Sequence, residues 1–121
     1  MANSTFTAIK DGATTLQFGA DIDADFPFDA PGIDTTKKAV LTYVVEPDPA
    51  GSNSDVVLRL DINGTSVTTN SFGSTQGRVL QEIVEANLLK ETGNTLTATL
   101  TDTDGEGSCV LRDAVVYYKV A

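Results

Sequence analysis

Apolar and polar residues alternate along most of this chain, and the period is two. In DVVLRLDING, Val56, Leu58, Leu60 and Ile62 fall on one side and Val57, Arg59 and Asp61 on the other. That is the pattern of a half-buried strand. Asn63-Gly64 follows, a pair that takes the positive φ angles of a type I′ hairpin turn. A two-residue turn sets Ile62 opposite Thr65 and Leu60 opposite Val67. NTLTATLT repeats the alternation, with Leu96, Ala98 and Leu100 inward and Thr95, Thr97, Thr99 and Thr101 outward. Two segments are apolar on both sides: AVLTYVV (Ala39 to Val45) and CVLRDAVVYYKV. In the second, strict alternation groups Cys109, Leu111, Val115 and Tyr117 on one face. Val110, Ala114, Val116, Tyr118 and Val120 form the other. Such strands are central in a sheet, or are covered outside by a loop or a partner.

Shorter strands are predicted at Ser4 to Ile9 and Thr14 to Phe18, with Asp11-Gly12 as a turn between them. Gly19 to Thr36 reads as irregular, because Pro27 and Pro31 argue against a strand interior. A loop this long packs its own side chains, here Phe26, Phe28 and Ile33, onto the core. Residues 78–90 carry both periods. Leu80, Val84 and Leu88 fit a helix capped by Gly93, but the branched residues of RVLQEIVE favour a strand and a short turn. The sum is all-β: an antiparallel β-sandwich of jelly-roll type, about eight strands, in one domain over residues 1–121.

Composition narrows the partners. Seventeen acids against eight bases give a net charge of −9. Such a surface repels phosphate backbones and anionic headgroups, so no nucleic acid and no membrane surface is expected. There is no histidine, which removes the commonest general base and the commonest zinc ligand. One cysteine, Cys109, allows no internal disulfide and reads as a small core residue. The first residues, MANSTFTAIKDG, lack the basic and apolar regions of a signal peptide. No apolar run approaches the ~20 residues of a membrane helix. The compartment stays open. Cytoplasmic synthesis without export, or incorporation into a particle, is the expectation; a trimmed sequence would read the same.

Two acidic clusters are candidate calcium sites. Asp102, Asp104 and Glu106 alternate around Gly105, which suits an oxygen-rich loop. The spacing departs from the EF-hand loop, and a hairpin connection between strands explains the same residues. Asp21, Asp23 and Asp25 share one face of an extended chain. A cation would relieve their repulsion, and so would water. No nucleophile has a base beside it. Gly73 to Gly77, GSTQG, lacks the lysine of a phosphate loop. A non-catalytic role is therefore expected.

The order of features resembles the galactose-binding-like jelly roll. The carriers are Leu89 to Leu96, an L-x-x-x-G-N-T-L run, and the closing strand VLRDAVVYYKV with its late aspartate. That superfamily includes many carbohydrate-binding modules. The resemblance implies ligand binding at loops of one end and a structural calcium near the termini. The chain departs from sugar-binding members in lacking tryptophan. Tyr43, Tyr117 and Tyr118 fall within strands, leaving Phe26, Phe28 and Phe72 in loops. The leading expectation is a structural or surface subunit of a larger assembly, held by protein partners or self-association. The alternative is a carbohydrate-binding module, with or without supporting calcium, with a glycan as partner.

Overall fold

A computed structural model of the chain describes residues 3–17, 22–49, 55–101 and 107–121. Eight strands run as β1 (Asn3–Gln17), β2 (Asp23–Phe28), β3 (Ala39–Asp48), β4 (Val56–Ile62), β5 (Thr65–Phe72), β6 (Arg78–Val84), β7 (Asn94–Thr101) and β8 (Ser108–Val120). They form two four-stranded antiparallel sheets, β1-β8-β3-β6 (sheet A) and β2-β7-β4-β5 (sheet B). Every step along the chain except the β4–β5 hairpin crosses from one sheet to the other. That weaving is the jelly roll.

The inward residues are those the alternation selects. Val56, Leu58, Leu60 and Ile62 face Leu96, Ala98 and Leu100 within sheet B, and Leu41, Tyr43 and Val45 oppose them from sheet A. Asn63 (φ 52°) and Gly64 (φ 83°) form the hairpin turn. An added Cβ at Gly64 would meet nothing within 4 Å. The cost of Gly64→Ala is therefore backbone strain alone, about 1 kcal/mol. Thermal unfolding should fall by roughly 4 °C.

The structure corrects the sequence reading in six places. Phe72, read as a loop residue, closes β5 and is buried. β7 and β8 lie in different sheets, so they are not joined as a hairpin. Residues 23–28 are a strand, not a loop. Pro27 fits because β2 is the edge of sheet B, where a residue without an N–H can face away from its neighbour. Phe26 and Phe28 are buried, as the loop reading had required. Ser4–Ile9 and Thr14–Phe18 are not two strands. They are one strand with register shifts between Ala8 and Ala13, and Gly12 (φ 93°) lies within the irregular stretch. The register after Asn63-Gly64 slips at Leu60/Asp61, so Leu60 faces Thr68 rather than Val67. Finally, β8 changes phase at Asp113, which sits at φ 53°. Cys109 and Leu111 point inward, and so do Ala114, Val116 and Tyr118. Val115 and Tyr117 turn outward. Bulges of this kind add one residue and reverse the side facing the core from there on.

Residues 78–84 are a strand, as the branched residues favoured. Inward-pointing Glu82 marks β6 as an edge protected against further pairing. Its carboxylate accepts hydrogen bonds from Tyr43 Oη (2.7 Å) and Asn70 Nδ2 (3.3 Å), which ties the two sheets along that edge.

Candidate functional site

The outer faces of the two sheets differ in chemistry. Sheet B presents Asp23 and Asp25 from β2, the four threonines of β7, and Arg59 and Asp61 from β4. It is a polar, solvated surface. Asp61 lies 3.5 Å from Arg59 Nε through one oxygen, and its other oxygen is buried without a partner among the described residues.

Sheet A presents the opposite. Its strand registers align four outward rows. The first is Phe6, Tyr117, Val40 and Ile83, one residue from each strand. The second is Ala8, Val115, Thr42 and Gln81. The third contains Ala13, Arg112, Val44 and Val79, and the fourth Thr15, Val110 and Glu46. Exposure is high for large apolar groups: Phe6 62%, Tyr117 47%, Val79 71% and Ile83 55%. Single exposed apolar residues need no explanation, but contiguous rows across a whole sheet mark a contact surface.

Two aromatic rings stand together on this face. Phe6 and Tyr117 have centroids 6.0 Å apart and an interplanar angle of 46°. Their pairing follows from register, since Phe6 lies directly opposite Tyr117. Polar groups flank the apolar rows. Arg112 Nε donates to Glu46 Oε1 at 2.8 Å across β8 and β3, with both side chains about half exposed. Beside Tyr117 a shallow cleft of about 200 Å³ is lined by Ser4, Lys38, Val40, Tyr118 and Lys119. At the other end a hollow of about 420 Å³ lies between Arg112, Glu46, Arg78 and Val79. A third hollow, about 300 Å³, lies at the β6 edge of this face, between the start of β5, Ile83 and residues 85–88. Glu85 is its only ionisable group among the described residues, beside the polar Thr65, Ser66 and Asn87.

The sequence reasoning placed Tyr117 within a strand and so discounted it as an exposed ring. It did not consider Phe6. The available signal was the apolar character of both faces of β8, which the structure resolves into a core face and a bare face.

The acidic candidates do not assemble among the described residues. Asp23 and Asp25 lie exposed on edge strand β2, and Asp25 accepts a hydrogen bond from Thr97 Oγ1 at 2.7 Å. Asp21 lies outside the described residues, as do Asp102, Asp104 and Glu106. Among the described residues no group of three or more His, Cys, Asp or Glu is placed to hold a metal. The described flanks of the two clusters, Asp23 and Thr101, do come to the same end of sheet B, where Asp23 pairs with Thr99.

The large proton-affinity shifts lie in the core, not on this face. Burial pushes the Tyr43 hydroxyl far above its ordinary value, reinforced by its hydrogen bond to Glu82. Burial pushes the Cys109 thiol up to about 11. Neither group reaches solvent, so neither is placed to act on a ligand.

No family model matches the chain, and no curated protein matches it. Solved structures do. A carbohydrate-binding module of family 29 in complex with cellulohexaose is similar over 96% of this chain and 91% of that one, at 10% identity and a TM-score of 0.53. The CBM36-1 domain of a multidomain xylanase from the hindgut metagenome of Trinervitermes trinervoides matches over 95% and 96%, at 12% identity and a TM-score of 0.55. The fold they share with this chain is a jelly-roll β-sandwich. A higher TM-score, 0.75 at 12% identity, comes from dimeric latent PorU of Porphyromonas gingivalis. That match covers 98% of this chain but only 13% of PorU. At such identities these likenesses speak for the fold.

Proposed function

We propose that the chain is a non-catalytic carbohydrate-binding module, and that its glycan lies across the outer face of sheet A. The observation that carries this reading is the exposed Phe6–Tyr117 pair on the single apolar sheet face. Sugar rings have one face of C–H groups, which packs on aromatic surface, and a rim of hydroxyls. Here the rings supply the platform. Thr42, Gln81 and the Arg112–Glu46 pair stand beside it as hydrogen-bonding groups. The fold is shared along nearly the whole chain with carbohydrate-binding modules, one of them holding cellulohexaose.

A second reading, a subunit held by a protein partner or a second copy, is favoured by the β6 side of the same face. Val79 and Ile83 are the most exposed aliphatic side chains there, and they neither donate nor accept hydrogen bonds.

A glycan array followed by calorimetry separates the two. A glycan should bind, and Tyr117→Ala should weaken it by up to about tenfold, since an aromatic stacking contact carries roughly 0.5–1.5 kcal/mol. The exposed position makes the variant safe for folding. Repeating the titration with calcium and with EDTA asks whether either acidic cluster contributes. Silence on every glycan, together with concentration-dependent self-association, would replace the first reading by the second.

A further inference from the structure

We infer that the glycan is anionic, and that Lys38 and Lys119 form the subsite that reads its charge. The inference rests on the carbohydrate reading above and adds the class of sugar.

The cleft beside Tyr117 is built from the turn preceding β3 and the end of β8. Asp34 N donates to Lys119 O at 2.8 Å, and Ile33 bridges to Val120. The turn closes on itself: Lys37 N reaches Asp34 O at 3.2 Å, and both Thr36 N and Thr36 Oγ1 donate to Asp34 Oδ1. These bonds fix the turn against the final strand, so that Lys38 and Lys119 line one cleft with Ser4 and the Tyr117 ring.

The charge of this cleft is one-sided: among the described residues its lining holds two lysines and no acid. Neutral sugars present hydroxyls that both donate and accept, and they are usually gripped by groups able to do both. Lysine only donates. The Tyr118 hydroxyl is committed to Pro31 O at 3.1 Å, which leaves the Ser4 and Tyr117 hydroxyls beside the two ammonium groups. Two ammonium groups and no carboxylate beside an aromatic ring match a sugar that carries an acceptor-only group, a carboxylate or a sulfate.

The nearby acids do not cancel it. Asp34, held charged by Thr36, and Glu85 stand against three lysines, and Glu85 meets Lys38 at 3.5 Å with both side chains well exposed, a pair weak enough for a ligand to displace. Three of the five lysines of the chain, Lys37, Lys38 and Lys119, lie at this end. The acids of sheet B stand on the far side of the sandwich, beyond the roughly 8 Å over which charge acts in physiological salt.

The test is calorimetry of the whole chain with three hexasaccharides: cellohexaose, hexagalacturonate and a sulfated carrageenan. One of the two anionic probes should bind at least tenfold tighter than cellohexaose, and should lose that margin as NaCl rises from low to high concentration. Lys38→Gln with Lys119→Gln should weaken the anionic probe about tenfold, and cellohexaose by much less. Which anionic probe wins tells carboxylate from sulfate. Equal or tighter binding of cellohexaose, or indifference to the double substitution, overturns the inference while the carbohydrate reading stands. Binding of none of the three, with an array silent on all other glycans, overturns both.

Discussion

Asn94→Ala is expected to destabilise the fold by about 3 kcal/mol, through loss of a polar hub rather than of apolar packing. Asn94 is the one buried polar residue among the described core. Its Oδ1 accepts from Lys90 N (2.8 Å) and Asn63 Nδ2 (3.0 Å), and its Nδ2 donates to Lys90 O (2.7 Å). Asn63 in turn donates to Leu88 O at 2.9 Å and accepts from Thr95 N at 2.9 Å. The β4–β5 turn and the loop entering β7 are thus held by two amides. Alanine would leave the Lys90 N–H and C=O without partners beneath the loop, and each such group costs roughly 1–3 kcal/mol. The melting temperature should drop by about 10 °C. Asn94→Asp should fail to restore it, because an acceptor would then face the Lys90 carbonyl. Far-UV circular dichroism during urea unfolding measures both. An unchanged midpoint for Asn94→Ala would show that the loop holds itself.

Alkaline pH should unfold this protein more steeply than its exposed charges would. Tyr43 and Cys109 are both neutral in the core, with proton affinities raised first of all by burial. In the unfolded chain the thiol loses its proton near its ordinary value of 9.0 and the phenol near 10.0. The folded chain retains both protons at those pH values. The unfolded state therefore binds fewer protons, and stability falls as pH rises. It is intact below about pH 9. The thiol contributes a loss between pH 9 and 11, where its folded form also begins to ionise. The phenol contributes from pH 10 upward at about 1.4 kcal/mol per pH unit, or roughly 2.5 kcal/mol by pH 12. Tyr43→Phe should remove the upper part of this dependence, while costing about 1 kcal/mol at neutral pH because Glu82 and Asn70 lose a partner. Cys109→Ala should remove the lower part. A stability curve whose fall above pH 10 is the same in wild type and Tyr43→Phe would show that the phenol reaches water.

The two kinds of knowledge divide along a physical line. Alternation at Val56–Ile62 and Thr95–Thr101 determined the strands, the core and the sandwich, because a period of two leaves a strand only one way to bury its apolar side. Asn63-Gly64 determined its own turn, since few other residues accept those angles. Pro27 misled, because a proline forbids only an interior strand, and whether a strand is at an edge is a property of the assembled sheet. The bulge at Asp113 was equally hidden. One left-handed residue reverses the phase of β8, and no local signal says on which side of it the core lies. For that reason the bare apolar face of sheet A was invisible in the letters. Phe6, Tyr117, Val40 and Ile83 are scattered over more than a hundred residues, and only strand pairing brings them into one row. Lys38 and Lys119 meet for the same reason, through a turn docked on the last strand. The sequence by itself determined what this chain buries. The tertiary structure decided what it leaves bare, because burial follows from each strand's own pattern whereas a surface is made of neighbours that the chain supplies from far apart.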